Sequence, residues 1–287
     1  MNSLRAPISK ILNWSCVDGP GNRMVLFFQG CNYNCAACHN PHTIGQCNNC
    51  GDCIPACAPQ ALSLVDGRIS FEADLCTHCD ECLKACQINA NPMVQTYSVK
   101  DICALLRENI SFLSGITVSG GEATLHLPFI KALFSETGKD PKLKHLSRFI
   151  DSNGHLGTTA WQSVLDVTDG FMLDIKAFDP ELHMRLTGRK NDRSLASVRM
   201  LHEAGKLYEL RFLMIPGRTD SETEIKSLIE FARTLDGPVR IRLNAFRTHG
   251  VRGEAAGWPP VARARVETAA GMLRHANLGP VELPALW

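Results

Sequence analysis

A run of four cysteines with the spacing C-x2-C-x2-C-x3-C occurs twice in this chain, the second copy displaced from the first by 29 residues at every position. The first comprises Cys47, Cys50, Cys53 and Cys57, the second Cys76, Cys79, Cys82 and Cys86. Duplication explains the constant offset. Three thiols on one tight loop and a fourth a helical turn away must be organised around a guest or by cross-links. Cross-links are the poorer choice, because the total of 13 cysteines is odd and 12 of them precede residue 90. The amino terminus MNSLRAPISK lacks the apolar stretch of a signal peptide, and apolar runs such as Val25 to Phe28 are far shorter than a bilayer span. The expectation is a cytoplasmic protein whose thiols stay reduced and bind metal.

The quartet spacing resembles that of bacterial ferredoxins, in which such a run holds [4Fe-4S] clusters, and two copies imply two clusters. The resemblance further implies a crossed ligand set. One cluster would take Cys47, Cys50, Cys53 and Cys86, the other Cys76, Cys79, Cys82 and Cys57. The proline that follows each fourth cysteine in that family is absent, since Ala58 follows Cys57 and Gln87 follows Cys86. A pair of zinc sites is the competing reading, although zinc does not call for two identical four-cysteine runs. A colourless, zinc-loaded anaerobic preparation would exclude iron.

Around this segment the chain reads as α/β. Six candidate strands are rich in Val, Ile, Phe or Leu: Met24 to Gln29, Ile116 to Ser119, Arg148 to Asp151, Phe171 to Lys176, Leu210 to Ile215 and Val239 to Phe246. Helical stretches alternate with the last five, the pattern of a parallel sheet with crossover helices. The clearest runs from Asp220 to Leu235, with Ser221 as cap and Ile225, Leu228, Ile229 and Ala232 at helical spacing. Another helix is expected near Val261 to Arg274. Residues 44–95 break the rhythm and read as an inserted domain, with LSLVDGRISF as a hairpin turning at Asp66-Gly67. Residues 1–43 and 96–287 form the remainder. Lys and Arg number 30 against 29 Asp and Glu, a net charge of +1, which disfavours nucleic acid and anionic membranes as partners.

At the end of the first candidate strand stand Cys31, Cys35 and Cys38, spaced C-x3-C-x2-C. Three thiolates cannot saturate the four irons of a cubane, so one iron keeps an open position for chemistry. Here the chain resembles the radical S-adenosylmethionine (SAM) superfamily. Asp18-Gly19-Pro20-Gly21-Asn22-Arg23, the strand VLFFQG, and Cys38-His39-Asn40-Pro41 narrow the likeness to the glycyl radical enzyme activating enzymes, the branch that includes the pyruvate formate-lyase activator. Gly120-Gly121-Glu122, Asp151-Ser152-Asn153-Gly154, Met172 to Lys176 and Arg211 to Gly217 have counterparts in that branch. Many of its members also carry a ferredoxin-like insertion between the triad and Gly-Gly-Glu.

The resemblance implies a partial (β/α)6 radical SAM barrel, three [4Fe-4S] clusters, SAM and a monovalent cation. Each motif falls at the carboxyl end of a candidate strand, the face where α/β barrels build their sites. Gly120 and Gly121 are expected to admit the SAM methionine amino group, with Glu122 as an acceptor beside it. Asp151, Ser152 and Asp174 are expected to help hold SAM, with Ile175 between the last of these and Lys176. Lys176 and Arg211 would reach the SAM carboxylate or these acids, a structural ion pair being the alternative. Ala37, Cys38 and His39 are expected beside SAM, and His249 on its adenine side. Cys16, Cys103 and the tail after residue 247 receive no role.

The expected activity is installation of a glycyl radical on a partner enzyme, with an electron donor such as flavodoxin or ferredoxin, under anaerobic conditions. Two rivals stay open: a radical SAM enzyme acting on a small molecule or another peptide, and a ferredoxin-like electron carrier. Reductive formation of 5′-deoxyadenosine separates the last of these from the others.

Overall fold

The computed structural model describes residues 4–284. Its strands are β1 (Arg5–Ser15), β2 (Arg23–Phe28), β3 (Leu62–Val65), β4 (Arg68–Phe71), β5 (Gln95–Ser98), β6 (Gly115–Gly120), β7 (Ser147–Ser152), β8 (Gly170–Ile175), β9 (Leu207–Met214), β10 (Ile241–Ala245) and β11 (Val281–Glu282). The helices are α1 (Glu81–Ala85), α2 (Val99–Glu108), α3 (Leu127–Lys139), α4 (Thr158–Gln162), α5 (Pro180–Thr187), α6 (Asp192–Glu203), α7 (Glu222–Arg233) and α8 (Arg263–His275). None of the helices among the described residues is long and apolar enough to cross a membrane.

Nine strands form one sheet in the order β11-β10-β9-β8-β7-β6-β2-β1-β5. From β2 to β11 every neighbour pair is parallel, whereas β1 runs antiparallel to both β2 and β5. The order has two ends, so the sheet curls without closing. All six expected strands form, and they are the parallel core of the sheet. The three additional strands carry weak signals. Pro7 interrupts β1 and lacks a ladder donor, β5 is the short polar segment QTYS, and β11 has two residues.

Parallel strands covered on both faces read as nearly continuous apolar runs, which is why β2 (RMVLFF) stood out. Phe134, Trp161, Phe171, Phe212 and Leu228 belong to the main core between sheet and helices, each worth roughly 1.5–3 kcal/mol when fully buried. At α7 the Ser221 side chain accepts from the Glu224 N–H, the expected cap, and Ile225, Leu228, Ile229 and Ala232 are buried.

A buried cation laces the amino-terminal ends of three strands. The Arg23 guanidinium donates to Thr117 Oγ1 (2.7 Å), to the Ile116 carbonyl (2.7 Å), and to both Oγ and the carbonyl of Ser147 (2.8 Å each). It lies 4.4 Å from the centre of the Phe149 ring. Thr117 Oγ1 in turn donates to the Asp18 carbonyl at 2.6 Å. This holds in place the loop before β2, whose Asp18 lines the cavity described below.

In residues 44–95, β3 and β4 pair antiparallel with Val65 opposite Arg68. The turn lies at Asp66 (φ 49°) and Gly67 (φ 72°), both left-handed as a two-residue hairpin loop requires. The 29-residue repeat is preserved in the backbone. Left-handed residues occur at Asn49 and His78, at Gly51 and Asp80, and at Gln60 and Asn89. The Asn49 N–H donates to Cys47 Sγ at 3.4 Å, and the His78 N–H to Cys76 Sγ at 3.5 Å. Non-glycine residues in this region cost of order 1–3 kcal/mol each, so two copies retaining them share one loop geometry.

Candidate active site

A cavity of about 650 Å³ opens at the carboxyl ends of the parallel strands, within the range of small-molecule sites. Cys31, Cys35 and Cys38 all line it. The backbone of their loop is strapped down on two sides. Cys31 N–H donates to the Ile44 carbonyl (3.2 Å), Asn34 N–H to the Thr187 carbonyl (3.1 Å) and Ala36 N–H to the Leu186 carbonyl (2.9 Å). Below the loop the buried Tyr33 hydroxyl shares a 2.9 Å hydrogen bond with Ser194 Oγ. Burial pushes the Cys31 and Cys35 thiols up to about 12 and raises Cys38 as well. Metal ligation displaces such protons.

Gly120 and Gly121 line the cavity beside the triad, yet the chain itself requires them to be glycine. A Cβ on Gly120, whose φ is +124°, would collide with the Phe28 backbone, and one on Gly121 with the carbonyls of Gly30 and Thr43. The end of β6 therefore lies against the end of β2, its parallel neighbour, with nothing between their backbones.

Glu122 lies beneath the cavity, 1% exposed. Its Oε1 accepts from the Thr124 N–H (3.1 Å), Thr124 Oγ1 (2.6 Å) and Ser152 Oγ (2.8 Å), and its Oε2 from the Asn153 N–H (2.8 Å). The expectation of an acceptor facing the ligand gives way to a support that orients Ser152 and Asn153, both of which do line the cavity. Burial pushes this carboxyl up, and the donors around it pull the other way.

The remaining acids and bases meet as two pairs on the cavity wall. Asp151 accepts from Ser119 Oγ at 2.7 Å and pairs with Arg211 at 3.2 Å. Asp174 pairs with Lys176 at 3.2 Å. Arg211 is held further by Glu209 at 2.8 Å, which also takes Arg242 at 2.9 Å. Burial pushes Asp151 up to about 6, with Arg211 opposing and Asp174 reinforcing the rise. For Lys176, burial works against the charge, but the adjacent Asp174 and Cys35 outweigh it and raise its pKa.

Ala37 and His39 also line the cavity, together with the apolar Leu186, Leu213, Ile215 and Ala245. Ile175 points instead into the core, 1% exposed. His249 is exposed on the turn after β10 and is not among the lining residues. His39 takes the contact there: its Nε2 donates to the Arg247 carbonyl at 3.0 Å and its ring stacks on Phe246, centroids 6.0 Å apart. Asn153, Ser119, Asn244 and Arg242 line the site without having been anticipated. Asn244 and Arg242 alternate on β10, so period-two reading of that strand could have found them. Cys16 is exposed and Cys103 is buried in the main core, and neither lines this site.

Two smaller cavities lie in residues 44–95. One is lined by Cys47, Cys50, Cys53 and Cys86, the other by Cys57, Cys76, Cys79 and Cys82. Among the described residues no three His, Cys, Asp or Glu side chains converge closely enough to hold a single ion. The four thiols of each set line one of these cavities.

Comparison with known proteins agrees with this geometry. Residues 25–231 match the family model of the radical SAM superfamily. The chain is 34% identical over 237 residues to the trans-4-hydroxy-L-proline dehydratase activating enzyme of Clostridioides difficile, covering 76% of this chain and 77% of that one. It is 30% identical over 244 residues to the pyruvate formate-lyase-activating enzyme of Streptococcus mutans, covering 83% and 76%. Among solved structures, QueE from Escherichia coli shares the fold, with a TM-score of 0.54 at 14% identity over 98% of this chain and 94% of that one. On this matched length and these relatives, the chain belongs to the radical SAM superfamily and, within it, to the glycyl radical enzyme activating enzymes.

Proposed function

We propose that this enzyme reductively cleaves SAM to methionine and a 5′-deoxyadenosyl radical, and uses that radical to withdraw a hydrogen atom from a glycine Cα of a partner glycyl radical enzyme. The products are 5′-deoxyadenosine and a glycyl radical. One observation carries the reading: three thiols, too few to saturate a cubane, share a single cavity with two acid–base pairs and an apolar wall. When bound, a [4Fe-4S] cluster on Cys31, Cys35 and Cys38 supplies the electron at its open iron.

The chain's own residues would bind and shield. Lys176 and Arg211 offer charge to a carboxylate, while Asp151 and Asp174 offer it to an ammonium group or a monovalent cation. Leu213, Ile215, Ala37 and Ala245 suit the apolar face of a nucleoside. The sheet stays open, and the cavity reaches Val17 and Asp18 before β2 and Pro284 after β11, the side from which a loop of another protein would enter.

We further infer that residues 44–95 are a ferredoxin-like unit holding two [4Fe-4S] clusters, one on each cysteine set. The two cavities and the repeated left-handed loop positions support this. An external donor such as flavodoxin or ferredoxin would supply the electrons.

The decisive experiment is anaerobic incubation with SAM, a reductant and candidate glycyl radical enzymes, followed by electron paramagnetic resonance. A protein-centred radical accompanied by 5′-deoxyadenosine is expected. Formation of 5′-deoxyadenosine with a small molecule, and no radical on any such enzyme, would overturn the proposal.

Asp151 makes the site pH-dependent. Its folded value of about 6 lies above the ordinary carboxylate range, so its charge costs stability above pH about 6 and costs nothing below the unfolded value near 4. As its charge disappears on acidification, the apparent SAM affinity should weaken below pH about 6, approaching tenfold per pH unit. Asp151→Asn should flatten that slope. Isothermal titration at several pH values checks it, and an unchanged slope in the variant would assign the effect elsewhere.

A further inference from the structure

The loop after β10 touches both cysteine regions of the chain. At one end it holds His39, the residue that follows the triad. His39 Nε2 donates to the Arg247 carbonyl, and a Cβ on Gly250 (φ +77°) would collide with the His39 carbonyl. At the other end Arg252 reaches into residues 44–95. Its guanidinium donates to the carbonyls of Leu83 and Cys86 and, at 3.0 Å, to Asn89 Oδ1. Leu83 and Cys86 stand at the carboxyl end of α1, where carbonyls carry partial negative charge and attract a cation; the Leu83 carbonyl also accepts from the Cys86 N–H at 3.3 Å.

The same turn is clamped from a second side. Gly45 N–H donates to the Asn89 carbonyl at 2.9 Å, and a Cβ on Gly45 would collide with the Ile88 carbonyl. Gly45 directly follows Ile44, whose carbonyl accepts from Cys31 N–H. Cys47 lies three residues after Ile44, a span of at most about 10 Å even when fully extended. The turn from Cys86 to Asn89 is thus tied to the triad by two separate routes, one through Arg252 and the loop on His39, the other through Gly45.

We propose that Arg252 is a positioning residue that fixes the set Cys47, Cys50, Cys53 and Cys86 beside the triad, leaving Cys57, Cys76, Cys79 and Cys82 as the more remote set. This rests on the two-cluster reading of residues 44–95. Arg252 touches no residue that lines the main cavity in the bonds described, so it acts through the Cys86 turn. Its charge lies at the end of α1, which carries Cys82 of one set and leads into Cys86 of the other, so it favours the reduced state of both insertion clusters.

The test uses the full chain, iron-loaded anaerobically, as wild type, Arg252→Met and Arg252→Lys. Iron content, amide exchange over residues 83–90 and the reduction potential of each cluster are measured. Arg252→Met is expected to speed exchange over 83–90 about tenfold, through loss of charge-assisted hydrogen bonds, and to lower the reduction potential of the insertion clusters. Arg252→Lys should recover that potential while recovering exchange only in part, because an ammonium group lacks the forked donors. Unchanged exchange, or unchanged potentials of both insertion clusters, overturns the positioning role at an iron content of about twelve per chain. An iron content of about four overturns the two-cluster reading, and the proposal with it.

Discussion

Replacing Cys31, Cys35 and Cys38 together by alanine should abolish reductive formation of 5′-deoxyadenosine, a fall of at least a thousandfold, on the order expected when the reacting centre itself is removed. All three thiols line the main cavity, and the eight quartet cysteines line two others. The variant should therefore lose about four irons per chain and keep the absorbance of the rest. Its fold should survive. The loop is anchored by backbone bonds to Ile44, Leu186 and Thr187 and by the Tyr33 side chain, none of which involves a thiol. Product is measured by liquid chromatography after anaerobic reduction with dithionite, and iron by colorimetry. Undiminished cleavage would place the chemistry at one of the quartets and refute the assignment.

The second large effect is structural. Glu122→Ala should destabilise the protein by about 4 kcal/mol, because four donors on Thr124, Ser152 and Asn153 lose their acceptor in a buried place at once. Glu122→Gln should cost about half as much, since its amide nitrogen would face the Asn153 N–H, donor against donor. Both variants should also weaken SAM binding, because Ser152 and Asn153 lose the group that orients them. Denaturant titration of the apoprotein measures the first effect and calorimetry the second. A loss below about 1 kcal/mol for the alanine variant would contradict the hydrogen-bond network. A ligand-facing role for Glu122 predicts the reverse pattern, a large loss of affinity at little cost in stability.

Much of the fold was legible because its signals are local. Six parallel strands announce themselves as short apolar runs, since both faces of each are covered. The hairpin at Asp66-Gly67 and the cap at Ser221 follow from single residues whose backbone preferences admit few alternatives. β1 and β5 were missed for the opposite reason. They are half-exposed or polar, and only pairing with β2 and with each other makes them strands.

The site was legible in its list of residues and less so in their roles. Motif and spacing brought out Cys31, Cys35, Cys38, Asp151, Asp174, Lys176 and Arg211, and the fold gathers all of them round one cavity. Which of Lys176 and Arg211 serves which acid could not be read from order along the chain. It depends on strand register, which sets Asp174 beside Arg211 yet leaves Asp151 as the acid that Arg211 bonds. Glu122, Ile175 and His249 were assigned to the ligand by their place in a motif, and none of the three lines the cavity in the structure.

The sequence by itself determined the chemistry, because thiol spacing within a loop is a local property that no later packing can alter. The triad leaves one coordination position open, and the 29-residue duplication makes two equivalent quartets. Only the tertiary structure decided how these parts face one another. It distributed the eight quartet cysteines between two cavities. It required Gly120 and Gly121 for the close approach of neighbouring backbones, and it brought Arg252, more than 160 residues distant in sequence, onto the turn that carries Cys86. Such relations join residues far apart in the chain, and they exist only once the sheet has set its strands side by side.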